Sequence, residues 1–258
     1  MTATLITGAS SGIGLEFARV FARNRHDLVL VARNESKLRE LAKELQASGV
    51  RVHVIAADLS SPGAVRTLTE GVQALGVDVD ILVNNAGHGL FGPFIETQLD
   101  AELSMIQLNI VALTELTKRL LPGMVARKSG RILNLASTAA FLPGPLMAVY
   151  YASKAYVLSF TEAIAAELEG TGVTVTALCP GPTASGFQAA ANLEESKLVA
   201  GKRLPTAASV AQAGYDAMMA GKTVFVPGVS NKLTLLAPRI LPRRFVTKIV
   251  QKAQERRH

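Results

Sequence analysis

Two side chains four residues apart open the chemical reading of this sequence. In Tyr150-Tyr151-Ala152-Ser153-Lys154 a phenol and an ammonium stand at i and i+4, a spacing that puts Tyr150 and Lys154 on one face of a helix. Tyr151 falls about 100° round the same helix and cannot share that face. A free phenol titrates near 10, too high for acid–base work at neutral pH. A neighbouring cation favours the phenolate and lowers that value. Ser137 supplies a hydroxyl able to hydrogen-bond the same substrate oxygen and hold it for transfer.

A second group is built from glycine. Thr7-Gly8-Ala9-Ser10-Ser11-Gly12-Ile13-Gly14 follows an apolar run and leads into an amphipathic one, with the spacing GxxxGxG. Gly8, Gly12 and Gly14 permit a tight turn, and the backbone N–H groups from Ser10 to Ile13 can approach a pyrophosphate. That phosphate would lie at a helix N-terminus, where unpaired amides and the dipole favour an anion. Dinucleotide binding is the expectation. At the end of the second strand, where NAD-selective sites place a carboxylate, the chain has Ala32 and then Arg33. A guanidinium there pairs with a 2′-phosphate and stacks on adenine, which favours NADP(H) over NAD(H). Asp58, followed by Leu59, is read as an acceptor for the adenine amino group or as the N-cap of the next helix.

These residues need a scaffold, and the hydrophobic pattern describes one. Candidate strands are Thr4–Thr7, Leu28–Ala32, Arg51–Ala56, Ile81–Asn84, Arg131–Ala136, Thr174–Leu178 and Thr223–Val226. Several are continuous apolar or β-branched runs, as expected when both faces of a sheet are covered. Helical periods lie between them. Ile13, Phe17, Val20 and Phe21 share one face of 13–23, and Leu38, Leu41 and Leu45 share one of 35–47. This alternation predicts an α/β fold: a single doubly wound, Rossmann-type domain with a central parallel sheet of about seven strands. The domain is expected over 1–231, with a basic helical extension over 232–258.

In this order the motifs resemble those of the short-chain dehydrogenase/reductase family. Thr7–Gly14 matches its TGxxxGxG loop, Asn84-Asn85-Ala86-Gly87 its NNAG, and Tyr150–Lys154 its YxxxK. Ser137 follows the fifth strand and Pro180-Gly181 the sixth, so the resemblance spans about residues 4 to 230. It implies that Tyr150 donates or takes the proton at a carbonyl or alcohol oxygen. It further implies that Lys154 also binds the nicotinamide ribose, that Ser137 orients the carbonyl, and that Asn109 sustains a proton relay through water. Asn84 to Gly87, Pro180, Gly181 and Thr183 would contact the dinucleotide, the backbone around Thr183 meeting the carboxamide. Ser185 stands where the family often has Thr, and retains the hydroxyl. A homo-oligomer is implied as well.

Phe91, Phe94, Phe141, Leu142, Leu146, Met147 and Phe187 are expected to wall a substrate pocket, with 187–204 as a mobile helical lid. An aldehyde, ketone or secondary alcohol with a hydrophobic body is the inferred substrate. His88 reads as a loop histidine, and Cys179 as a small buried apolar residue.

The net charge of +7 invites a nucleic-acid reading, and its distribution removes that reading. From Lys232 onward the chain holds eight Lys/Arg and one acid, Glu255, while the preceding 231 residues hold nineteen bases and nineteen acids. The extension alone is basic. Phe245, Val246, Ile249, Val250 and Ala253 cluster on one helical face, with Lys248, Lys252 and Arg256 on the other. An anionic membrane surface could take such a helix, but the apolar face is narrow and lacks Trp. Packing on the body or on a second subunit is the favoured reading. One cysteine and four scattered histidines give no disulfide framework and no metal-ligand spacing. The chain opens almost at once on a strand, and no apolar run reaches about 18 residues, so neither a leader nor a membrane span is expected, and a cytoplasmic setting is. A non-catalytic sensor or scaffold on the same fold is the rival to an enzyme.

Overall fold

In the computed structural model, which describes residues 2–191, 196–197, 201, 203–235 and 241–255, seven strands form one parallel sheet. They are β1 (Thr2–Thr7), β2 (Leu28–Ala32), β3 (Val52–Ala56), β4 (Asp78–Asn84), β5 (Gly130–Leu135), β6 (Val173–Leu178) and β7 (Val224–Phe225). Their order is β3-β2-β1-β4-β5-β6-β7. The sheet reverses direction of growth between β1 and β4, whose contact runs Leu5 opposite Leu82 and Ile6 opposite Val83. In an open α/β sheet the crevice beyond the carboxyl ends of such strands is where ligands bind.

Every residue of β2 is buried, because helices cover both faces. On one side lie α1 (Gly12–Arg23), α2 (Glu35–Gln46) and α8 (Ala207–Met219), whose Phe17, Phe21, Leu38, Leu41 and Met218 pack with Ile6, Leu28 and Leu30. The other side carries α3 (Ala64–Ala74), α5 (Leu113–Ala126) and α6 (Ala148–Glu167), with Val65, Leu68, Leu116, Met124 and Ile164 against Leu5, Val29 and Leu82. Phe17, Phe21, Leu5 and Leu82 are wholly enclosed. Each such side chain contributes about 1.5–3 kcal/mol through burial.

Helix α4 (Leu99–Ile106) runs into α5 through a π-helical turn at Gln107–Ala112. Such turns often mark functional positions, and this one holds Asn109. A 3-10 turn spans Thr138–Phe141. After β6 come the short α7 (Phe187–Ala190), then α9 (Val229–Thr234) and α10 (Arg243–Gln254). Of the expected lid at 187–204, residues 192–195, 198–200 and 202 lie outside the described residues, as do 236–240 and 256–258 of the extension. Among the described residues no helix is long and apolar enough to cross a membrane.

Helix α10 lays Val246 and Val250 against Ala139, Met147, Tyr151 and Ala191. The short piece Ser196–Lys197 is tied to its end. Ser196 Oγ donates to the Gln254 carbonyl at 3.2 Å, the Lys197 amide to the Glu255 carbonyl at 3.0 Å, and Lys197 Nζ pairs with Glu255 at 2.9 Å.

Candidate active site

The loop after β1 is shaped by glycine where no other residue would serve. Gly8 and Gly12 have φ of +68° and +57°, in the left-handed region. A Cβ on Gly14 would lie 2.3 Å from the Gly8 carbonyl oxygen and 2.4 Å from Asn85 Nδ2. Gly14 therefore serves close packing inside the turn and does not face the cleft. Ser11 caps α1 without a side-chain hydrogen bond, and the first turn holds no acid, so its amides stay available to an anion.

Asn85 and Thr7 hold this loop to the end of β4. Asn85 Nδ2 donates to the Thr7 and Gly8 carbonyls at 2.8 and 3.2 Å, and the Asn85 and Ala86 amides both donate to Thr7 Oγ1 at 3.0 Å. The bracing role of Thr7 was not legible in advance; a Thr at the strand end, opposite an NNAG, is its only signal.

Asn84 departs from expectation. Its amide donates to Thr117 Oγ1 and to Asn134 Oδ1, and Asn134 donates to Thr161 Oγ1, all within 3.0 Å. This chain of amides and hydroxyls is buried between β4, β5 and their helices, and it turns the Asn84 side chain away from the cleft. Asn84 supports the site from behind.

A cavity of about 440 Å³ runs across the carboxyl ends of the strands. Ser10, Ser11, Gly12 and Ile13 line it, with Arg33, Asp58 and Leu59 at one end. Asn85, Ala86 and Gly87 form its floor, and Pro180, Gly181 and Thr183 its far side. Arg33 is exposed at the rim, near enough to help hold the Asp58 carboxyl below its ordinary range, after the larger effect of the Ser60 hydroxyl. Asp58 accepts from the Ser60 amide at 3.0 Å and its hydroxyl at 2.6 Å. It closes a turn and does not cap α3, whose N-cap is Gly63 at φ +79°.

The reacting groups converge in the middle of the cavity. Tyr150 stands over the cleft with its phenol against the Ser137 hydroxyl. Ser137 opens the 3-10 turn, its oxygen accepting from the Ala139 amide at 3.1 Å. Lys154 Nζ lies 5.8 Å from the Tyr150 ring centroid and donates to the Leu135 carbonyl at 2.7 Å. Burial pushes the Tyr150 phenol up to about 12, with a smaller opposing effect from Ser137, and lowers the Lys154 ammonium to about 8. Desolvation is the largest influence on both groups, raising the phenol and lowering the ammonium.

Asn109 is enclosed behind Gly87. Its Nδ2 donates to the His88 carbonyl at 3.0 Å and Ser153 Oγ at 3.1 Å, and its Oδ1 accepts from the His88 amide at 3.1 Å. These contacts tie the loop after β4 to α6. His88 itself lines the cavity, half-buried, with its imidazole pKa lowered chiefly by burial. Cys179 is fully buried and its thiol is pushed up to about 12 by that burial, which leaves it inert.

The substrate end differs from its expected wall in several respects. Phe91, Leu142, Met147 and Phe187 do gather there, Phe187 lying 5.4 Å from the Tyr150 ring. Phe94 is 66% exposed, Phe141 packs with Val157, Leu158 and Cys179 in a separate cluster, and Leu146 lies outside both the cavity lining and the substrate-end cluster. Tyr151 does not share the Lys154 face, yet it reaches the cavity edge-on to Tyr150, its ring seated on Gly144 and its hydroxyl against the buried Gln254 amide. Val246 and Val250 of α10 close this wall from outside. The nicotinamide-side loop gains a brace that was also unforeseen. Gln188 Nε2 donates to the Thr183 carbonyl at 2.5 Å, and Thr183 Oγ1 donates to the Gly181 carbonyl at 2.9 Å.

Residues 2–196 match the family model described as short chain dehydrogenase. The ketoacyl reductase HetN of Nostoc sp. is 37% identical over 177 residues, 69% of this chain and 62% of that protein. Mouse dehydrogenase/reductase SDR family member 7B is 34% identical over 254 residues, 93% of this chain and 78% of that protein. The first curated relatives are thus matched over about six-tenths of their length. Among solved structures, a short-chain dehydrogenase from Sphingobium yanoikuyae in complex with NADPH superposes with a TM-score of 0.82 at 30% identity, over 99% of this chain and 98% of that one. Together with the glycine turn, the Asn85 brace and the Ser137–Tyr150–Lys154 cluster at one cleft, these matches show that the chain belongs to the short-chain dehydrogenase/reductase family.

Proposed function

We propose that the protein is an NADP(H)-dependent oxidoreductase acting on the carbonyl or secondary alcohol of a hydrophobic substrate. The observation that carries this reading is the meeting of Ser137, Tyr150 and Lys154 at the centre of a cleft whose one end is a glycine-shaped anion cradle. The residues present suit a dinucleotide. Gly8 and Gly12 hold left-handed backbone, the first-turn amides of α1 lack a cap, and Arg33 stands at the rim as the partner for a 2′-phosphate. The relative solved with NADPH is consistent with that choice.

When bound, the nicotinamide supplies or accepts the hydride. The protein's own residues handle the oxygen and its proton. Ser137 donates a hydrogen bond to the substrate oxygen and fixes the carbonyl beside Tyr150. Tyr150, held protonated by its surroundings, gives its phenolic proton to that oxygen during reduction. At about 12 the phenol is protonated at neutral pH. A positive charge brought beside it would lower that value toward the working range of a general acid–base in either direction. Lys154, fixed on the Leu135 carbonyl, is placed to bind the nicotinamide ribose and return a proton to Tyr150. Asn109 positions the loop carrying His88 through that residue's backbone; the family resemblance adds a proton relay through water beside it. Phe91, Leu142, Met147 and Phe187 exclude water around the substrate body.

A homo-oligomer fits Leu103, Val111 and Tyr156, exposed apolar positions on the α4–α6 side. A reducing, cytoplasmic setting fits the single buried cysteine. Following NADPH oxidation against aldehydes, ketones, 3-oxoacyl thioesters and oxosteroids tests the function. Turnover with at least one class is expected. Tight NADPH binding with no turnover on any class would assign the fold to a non-catalytic sensor.

A further inference from the structure

Helix α10 keeps an apolar edge that the body does not cover. At 100° per residue, Val246, Val250 and Gln254 fall on one side, and these are its buried positions. Phe245 and Ile249 fall on the other side, 58% and 48% exposed. Lys248, Lys252, Phe245 and Ile249 follow one another within an arc of about 100°, and Arg244 borders it. All three bases are exposed. The carboxylate nearest this helix end, Glu255, is paired with Lys197, and no acid stands within α10. The extension from Lys232 also holds the whole of the chain's net charge.

We propose that this outer face of α10 docks on an anionic lipid surface, Phe245 and Ile249 entering the headgroup boundary while Arg244, Lys248 and Lys252 meet acidic headgroups. Apolar residues flanked by bases are what an interfacial helix requires. Charge selects this occupant over a second copy of the chain. A twofold contact through the same face would set these bases against themselves, whereas an acidic membrane complements them. The two faces of α10 then have separate duties, since Val246 and Val250 back the cleft wall from outside while Phe245 and Ile249 face the lipid. The proposal stands independently of the catalytic reading.

Flotation of the full chain with vesicles of phosphatidylcholine alone, and of phosphatidylcholine with phosphatidylserine, tests it at low and high salt. Binding is expected only with phosphatidylserine, and salt should weaken it. Each base near such a surface strengthens binding about fivefold, so Lys248→Glu/Lys252→Glu should lose at least about 25-fold. Phe245→Ser/Ile249→Ser should lose on the order of tenfold. Both variants alter exposed positions and should keep the wild-type melting temperature, which separates lost docking from misfolding. Equal binding to both vesicles, binding to neither, or undiminished binding of the charge-reversed variant overturns the proposal. So does a wild-type oligomer that Phe245→Ser/Ile249→Ser breaks, which would give the face to a second copy.

Discussion

On the dinucleotide side of the cleft, position is carried by backbone. Left-handed glycines shape the turn, and Thr7 and Asn85 pin it to β4 by four hydrogen bonds of 3.2 Å or less. On the substrate side, position is carried by side-chain packing from four separated pieces of chain: Phe91, the stretch from Ala139 to Tyr151, Phe187, and Val246 with Val250. A backbone-built half leaves no room for an added atom at Gly8 or Gly14, where a Cβ would lie 2.7 Å from Asn85 Nδ2 and 2.3 Å from the Gly8 carbonyl oxygen, respectively. A packed half can exchange one apolar side chain for another at modest cost, which lets substrate choice change while the dinucleotide cradle stays as it is.

Four substitutions and one titration would break or sharpen this contrast. Tyr150→Phe removes the proposed proton donor, and kcat should fall by on the order of a thousandfold with NADPH affinity nearly unchanged. Gly14→Ala places a Cβ 2.3 Å from the Gly8 carbonyl, so NADPH affinity measured by titration should drop by on the order of a hundredfold. If Gly14→Ala is silent, the backbone side is softer than described. Arg33→Ala should lower kcat/KM with NADPH by roughly tenfold to a hundredfold and leave NADH little affected. Equal losses with both would detach Arg33 from the 2′-phosphate. Val250→Ala tests the packed side, and should cost about 1–2 kcal/mol in denaturant unfolding while raising KM more than it lowers kcat.

The smallest effect is a titration. Lys154 is lowered to about 8 in the fold and recovers its ordinary value near 10.5 on unfolding. Between these values the unfolded chain binds the extra proton, so stability should rise with pH from about 8 to 10 and decline as pH falls through 8. Comparison with Lys154→Met, which cannot titrate, isolates that slope. A slope shared by both proteins would place its origin elsewhere.

Much of the first half was legible in sequence because its recognition is local. The glycine spacing, the strand that precedes it and the helix that follows lie within about twenty residues, and each of the seven strands lies where its apolar run predicts it, within three residues at each end. The YxxxK pair was equally legible, since one helical turn sets its geometry. Asn84 as a cleft residue and Asp58 as an N-cap fail for a single reason: residue type announces a hydrogen-bonding group but not its partner. Thr117 and Asn134 take the Asn84 amide, and Ser60 takes the Asp58 carboxylate. Phe94 and Phe141 were assigned to the pocket on hydrophobicity alone, and the direction of a loop side chain does not follow from hydrophobicity.

By itself, the sequence determined the parallel α/β scaffold, the anion cradle at the start of α1 and the Tyr150–Lys154 pair, because periodicity and fixed short spacings encode them. Only the tertiary structure decided which way the Tyr150 phenol shifts, since that depends on how much water the assembled wall excludes. It also decided the fate of the C-terminal helix. Its apolar residues look like one stripe on a helical wheel, but burial separates them, packing Val246 and Val250 behind the cleft wall and leaving Phe245 and Ile249 outside. A period of 3.6 can define a stripe, and only a neighbour in space determines how much of it is covered.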